Sequence, residues 1–136
     1  MRKKFIKIYS LIMLITIFLT GCATTKSKIE NSSNSVMKIS GEEAKSIIDS
    51  REQVIIIDVR EESEYREGHI KDSVLVPLGT IEDKIEKVVE DKNQPILVYC
   101  RSGRRSAEAA NLLNKLGYTN VYDFGGIIDW PYDIEK

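Results

Sequence analysis

Histidine and cysteine are nearly missing from this 136-residue chain, which holds one of the first and two of the second. Two thiols cannot build a disulfide framework. Basic residues are not in surplus either, with 20 Lys and Arg against 21 Asp and Glu. That balance denies the chain the broad basic face of a sequence-independent nucleic-acid binder. No apolar run reaches the roughly 20 residues that span a bilayer, and no internal repeat is present. What remains is an ordinary globular balance, 42% hydrophobic and 30% charged, in a length suited to one domain.

The N-terminus departs from that average. Arg2, Lys3, Lys4 and Lys7 precede an almost wholly apolar stretch from Ile8 to Leu19. A basic start and a short apolar core are the pattern of a secretory signal. The stretch ends in Leu19-Thr20-Gly21-Cys22, which resembles the lipobox of bacterial lipoproteins. The resemblance implies cleavage before Cys22, lipid on its sulfur, and an exported protein anchored to a membrane of the bacterial cell envelope. Residues 1–21 are then a signal peptide, and 22–36 a lipidated N-terminus with a flexible tether. The tether sequence, TTKSKIENSSNS, is polar and would reach on the order of 20 Å as a coil. Cleavage would leave 16 basic residues against 21 acidic ones, a charge of about −5. Cys100 would be the single free thiol.

From Met37 to Lys136 short apolar runs alternate with helical patterns. Ser40 and Glu43 form a capping box that opens a helix running to about Asp49. Val54 to Asp58 reads as a buried strand, and Glu61 to Glu67 as a short helix closed by Gly68. Val74 to Val76 is a strand stopped by Pro77. Ile81, Ile85, Val88 and Val89 recur at helical spacing, which predicts a helix over 80–90. Ile96 to Tyr99 is the next strand. Ala109, Leu112, Leu113 and Leu116 mark one face of a helix that Gly117 ends. Val121-Tyr122 is a last short strand before Gly125-Gly126. Strands and helices in alternation predict an α/β fold, a mostly parallel sheet with helices on both faces. Ligands bind such sheets beyond the carboxyl ends of the strands.

Chemistry concentrates at one such end, in Cys100-Arg101-Ser102-Gly103-Arg104-Arg105-Ser106. A cysteine between a strand and a helix faces the unpaired amides and partial positive charge of the helix N-terminus. Gly103 lets the loop curl so that the amides of 101–106 converge as an anion nest. Such surroundings favour a thiolate over a thiol. Arginines in a first helical turn oppose the helix dipole, so their presence calls for an anion nearby. Asp58-Val59-Arg60 ends a second strand and supplies further charge.

Asp58-Val59-Arg60, Tyr65, Gly68-His69-Ile70, Pro77, the 100–106 loop, Gly125-Gly126 and Trp130 together resemble a single-domain rhodanese from about Met37 to Trp130, in a domain taken as 37–136. The resemblance implies the rhodanese-like fold and a thiosulfate sulfurtransferase-like enzyme. Cys100 would be the nucleophile that attacks the outer sulfur of a small anionic donor such as thiosulfate. A thiol or cyanide would then accept the sulfur from the Cys100 persulfide. Arg101, Ser102, Gly103, Arg104 and Arg105 would form the substrate cradle, with Asp58, Arg60 and Ser106 supporting it. No cofactor, metal or nucleic acid is implied, and His69 would be structural. Asp72-Ser73 and Pro131 depart from the usual pattern outside the loop.

Two other functions compete. Phosphatase relatives of the fold resemble a Cys-x5-Arg pattern, whereas here the arginine stands five positions on, as Arg105, and Ser106 occupies the sixth. A persulfide carrier or redox-relay module, loaded by a partner protein, needs the same cradle as the enzyme. A lone thiol argues against a self-contained thiol oxidase or disulfide isomerase. In an exported protein an exposed Cys100 would be open to oxidation.

Overall fold

A computed structural model describes residues 35–50 and 53–136. The predicted signal peptide, the lipidation site Cys22 and all but the last two residues of the tether lie outside them. Among the described residues five strands form one sheet: β1 (Met37–Lys38), β2 (Ile55–Asp58), β3 (Ser73–Leu75), β4 (Ile96–Cys100) and β5 (Val121–Gly126). Their order is β1-β5-β4-β2-β3, and every pairing is parallel. Four helices connect them: α1 (Gly41–Ser50), α2 (Glu62–Glu67), α3 (Ile81–Val88) and α4 (Arg104–Lys115).

Alternation along the central strands divides the core. Ile57, Ile96, Val98, Cys100 and Val121 pack with Ile81 and Ile85 of α3 and Ala109, Ala110 and Leu113 of α4. On the other face Ile56, Leu97, Tyr99 and Phe124 meet Ala44 of α1, with Ile47, Ile48 and Trp130 beside it. Helices therefore cover both faces, and β4, buried throughout, reads as the continuous apolar run of a central parallel strand.

The helix signals act as predicted. Ser40 Oγ accepts from Glu43 N–H at 3.2 Å while Glu43 Oε2 accepts from Ser40 N–H at 2.7 Å. At the end of α4, Tyr118 N–H donates to Leu113 O at 3.1 Å and Gly117 N–H to Asn114 O at 3.0 Å, a Schellman ending. Three elements differ from expectation. Helix α3 is shorter, because a 3-10 turn occupies Leu78–Thr80 and Val89 is already extended. Strand β1 has no sequence pattern of its own, being only two residues long and fixed by pairing Met37 with Tyr122.

The third difference shapes the site. β5 continues through both glycines to Gly126, because it bulges against β4. Val98 pairs with Asp123, yet Cys100 pairs with Gly126, so two residues of β5 face one of β4. Such a bulge bends and twists its strand. It brings Gly126 directly under the loop that leaves Cys100. A Cβ on Gly126 would stand 2.3 Å from Arg101 O and 2.7 Å from Ser102 Cα, both backbone atoms. Gly126→Ala is therefore expected to cost about 2 kcal/mol, the usual range of overpacking, read as a lowered urea midpoint. An unchanged midpoint would show that the loop yields without loss.

Candidate active site

Three residues carry the chain from Cys100 to the start of α4. Gly103 makes the turn at φ +96°, a conformation open to a residue without Cβ. Its N–H donates to Cys100 Sγ at 3.1 Å, a contact that a thiolate accepts. The first turn of α4 leaves the N–H groups of Arg104, Arg105 and Ser106 without helical carbonyl partners. These amides face the same end of β4 as the sulfur.

The loop is held from two sides. Ser106, fully buried, places its hydroxyl 3.0 Å from Gly103 O and 3.2 Å from Gly125 O. Ile128 N–H donates to Arg101 O at 3.3 Å. Gly125 N–H is in turn bound to Asp123 Oδ1 at 3.1 Å. Cys100 itself is only 1% exposed, which corrects the expectation of an exposed thiol. Its side chain points into the α4 face of the core, beneath the loop.

The three loop arginines divide into two kinds. Arg101 and Arg104 are exposed, and Arg104 comes no closer than 3.9 Å to Glu108. Arg105 is engaged within the protein: its two terminal nitrogens donate to the Glu64 carboxylate at 2.7 and 2.8 Å. The anion demanded by a basic first turn is, for Arg105, a carboxylate on α2. Glu64 also completes a capping box with Glu61 at the start of that helix. The Arg105 hydrogen bond, above all, lowers the Glu64 carboxyl to about 2. Glu64 in return raises Arg105, with the charge of Cys100 a further contribution.

Asp58 and Arg60 lie on the opposite face. Asp58 falls in step with Ile56, on the Tyr99 side of the sheet, and is fully buried. Arg60 Nε and Nη2 donate to its two oxygens at 2.7–3.0 Å, Nη2 also reaches Gly68 O at 2.7 Å, and the guanidinium stands 5.6 Å from the Tyr99 ring centre. None of these bonds goes to the 101–105 loop. The support predicted from the pair therefore runs through β4, since Asp58 pairs with Tyr99. The Tyr99 hydroxyl accepts from Ile70 N–H and lies 3.1 Å from Ser73 Oγ; burial raises its pKa, and the Asp58 charge adds to this.

His69 stands apart from Cys100. Its ring stacks on Tyr65 with centroids 3.9 Å apart, and its backbone exchanges two hydrogen bonds with Glu135. At the sixth position of the loop the Ser106 hydroxyl turns to backbone carbonyls, so nothing stands in for a phosphatase arginine there. Sequence reading missed Glu64; its place immediately before Tyr65 in a capped helix gave no sign of a contact 41 positions away.

The chain belongs to the rhodanese-like domain family, whose model matches residues 40–131. It is 38% identical over 73 residues to the thiosulfate sulfurtransferase PspE of Escherichia coli, covering 54% of this chain and 70% of that protein. Against the putative sulfur carrier protein YrkF of Bacillus subtilis it is 41% identical over 102 residues, covering 74% of this chain and 54% of the relative. A solved structure described as rhodanese with anions from E. coli superposes with a TM-score of 0.59 at 35% identity, over 61% of this chain and 98% of that one.

The Glu64–Arg105 pair makes a prediction about acid. A carboxyl lowered from 4.5 to about 2 on folding stabilises fully above pH 4.5 and loses that contribution as pH falls from 4.5 through 2. Both side chains are partly exposed, at 25% and 21%, so the gain is about 1 kcal/mol at most. Wild-type stability is expected to fall more steeply over that interval than that of Glu64→Gln, by urea denaturation at a series of pH values. Parallel curves would remove the pair from the stability account.

Proposed function

We propose that the domain moves a sulfane sulfur from an anionic donor such as thiosulfate to a nucleophilic acceptor through a persulfide on Cys100. The observation that carries this reading is the Gly103 N–H aimed at Cys100 Sγ at 3.1 Å, at the mouth of α4's unpaired amides. The thiolate attacks the outer sulfur of thiosulfate. The donor's S–S bond breaks, its electron pair leaves with sulfite, and Cys100 keeps the outer sulfur as a persulfide anion. Three negative charges enter and three remain, so no proton need move and no general base is required. Amides and arginines lower the barrier by facing the charge that shifts toward sulfite. A thiol or cyanide then attacks the outer sulfur and restores the thiolate. The anions named in the E. coli rhodanese structure suit such a cradle.

A carrier role, in which a partner protein loads Cys100, is favoured by the likeness to a putative sulfur carrier. One mass measurement separates the two. After exposure to thiosulfate, the full-length protein is expected to gain one sulfur that cyanide removes, and Cys100→Ser none. A folded, fully reduced protein that gains no sulfur would overturn thiosulfate as donor and leave the carrier role.

For the N-terminal segment we propose lipidation at Cys22 and anchoring to the cell envelope, on the likeness of Leu19-Thr20-Gly21-Cys22 to a lipobox. Two or more acyl chains would hold the protein stably, at about 0.8 kcal/mol per buried methylene. Expression in a bacterium with labelled palmitate is expected to label the protein in the membrane fraction, and Cys22→Ser to abolish both. Labelling that persists in the variant would refute the assignment.

A further inference from the structure

The cradle is surrounded by more positive charge in the sequence than in the fold. Arg105 spends both terminal nitrogens on Glu64, at 2.7 and 2.8 Å, with the two side chains only 21% and 25% exposed. The bond joins α2 to the first turn of α4, so it fixes where the guanidinium stands relative to the loop. Arg101 and Arg104 remain exposed. The proposed reaction first attracts a dianionic donor and then releases dianionic sulfite. A field strong enough to hold the first also holds the second.

We propose that Glu64 is a positioning residue that tunes the cradle's charge: clamped to Arg105, it cancels one unit of positive charge near Cys100 and so sets the balance between anion capture and sulfite release. This rests on the sulfurtransferase reading of Cys100. Arg105 stands in the first turn of α4, beside Gly103, whose N–H meets Cys100 Sγ at 3.1 Å. Glu64 also accepts from Glu61 N–H at 3.1 Å, so the pair is tied to the start of α2.

Glu64→Gln tests the charge without the shape. A glutamine oxygen can still accept from Glu61 N–H, as Glu64 Oε2 does at 3.1 Å, and from Arg105. Alkylation of Cys100 by anionic iodoacetate and neutral iodoacetamide, followed on the Cys100 peptide, gives a rate ratio that reads the potential at the sulfur whatever the natural donor. The ratio is expected to rise about three- to tenfold in Glu64→Gln and to fall by a similar factor in Arg105→Gln, as one unscreened unit charge requires. The double variant, again neutral, should return near the wild-type ratio. In turnover with thiosulfate, Glu64→Gln should lower KM and the sulfite inhibition constant together while kcat falls. An unchanged ratio in Glu64→Gln, or a double variant that fails to recover, would overturn the proposal. If thiosulfate loads no sulfur, the ratios still decide on Glu64, and only the donor is lost.

Discussion

The site depends on one contact of backbone with backbone, the passage of Arg101 and Ser102 over Gly126. With 2.3 Å between Arg101 O and the place a Cβ would take, the loop can lie against β5 only if residue 126 is glycine. That contact in turn needs the bulge, because regular pairing of β4 with β5 would present Gly125 where Gly126 now stands. Once the loop is down, Gly103 must turn at positive φ to enter α4, and its amide then meets the sulfur at 3.1 Å. The environment of the Cys100 sulfur is thus a consequence of strand register. Ser106 and Ile128 fasten the arrangement; they do not create it.

Strand parity explains the other polar cluster. Cys100 takes the α4 face, so Tyr99 and Asp58 must take the other, where Arg60, Gly68, Ile70 and Ser73 complete a closed set of hydrogen bonds. A buried ion pair gains little net stability, because desolvation offsets its attraction. Breaking it is costly, since the survivor is an unpaired buried charge. Such a pair acts as a pin: it accepts one register of β2, β3 and β4 and penalises others. The position of Cys100 at the end of β4 inherits that register.

Much of this was legible in the sequence where the signal is local. Ser40 with Glu43 named a helix start, Val54 to Asp58 a buried strand, and Gly117 a helix end, each because the residues that form the bond lie within a few positions. The cysteine loop was legible for the same reason, since Cys100 and Gly103 are three apart. Three features were not. β1 is a strand by virtue of its partner, Tyr122 and Asp123. The glycines at 125 and 126 looked like the end of a strand, yet Gly125 lies in its bulge and Gly126 resumes the pairing with Cys100. Glu64 meets Arg105 across 41 residues, and nothing in either segment announces the other. Sequence reasoning did find the physical demand, an anion for a basic first turn, without finding which anion meets it.

Burial of the thiol fits the proposed transfer of a single sulfur. At 1% exposure Cys100 offers little surface to bulky reagents or to stepwise oxidation, which follow thiolate character and exposure. In the proposed reaction a donor would have to present a sulfur at the end of a slender group, as thiosulfate does. In the proposed persulfide the outer sulfur would stand about 2 Å beyond Sγ, the length of an S–S bond, and so closer to an incoming acceptor than Sγ itself. The resting cysteine is shielded, and the loaded one would be reachable. The same proposed step would move the negative charge outward, from the Gly103 amide toward the first amides of α4. A cradle of several weak donors suits a charge that shifts by a bond length better than one strong ion pair would, and in the proposed role Glu64, bound to both terminal nitrogens of Arg105, would keep Arg105 from becoming that ion pair.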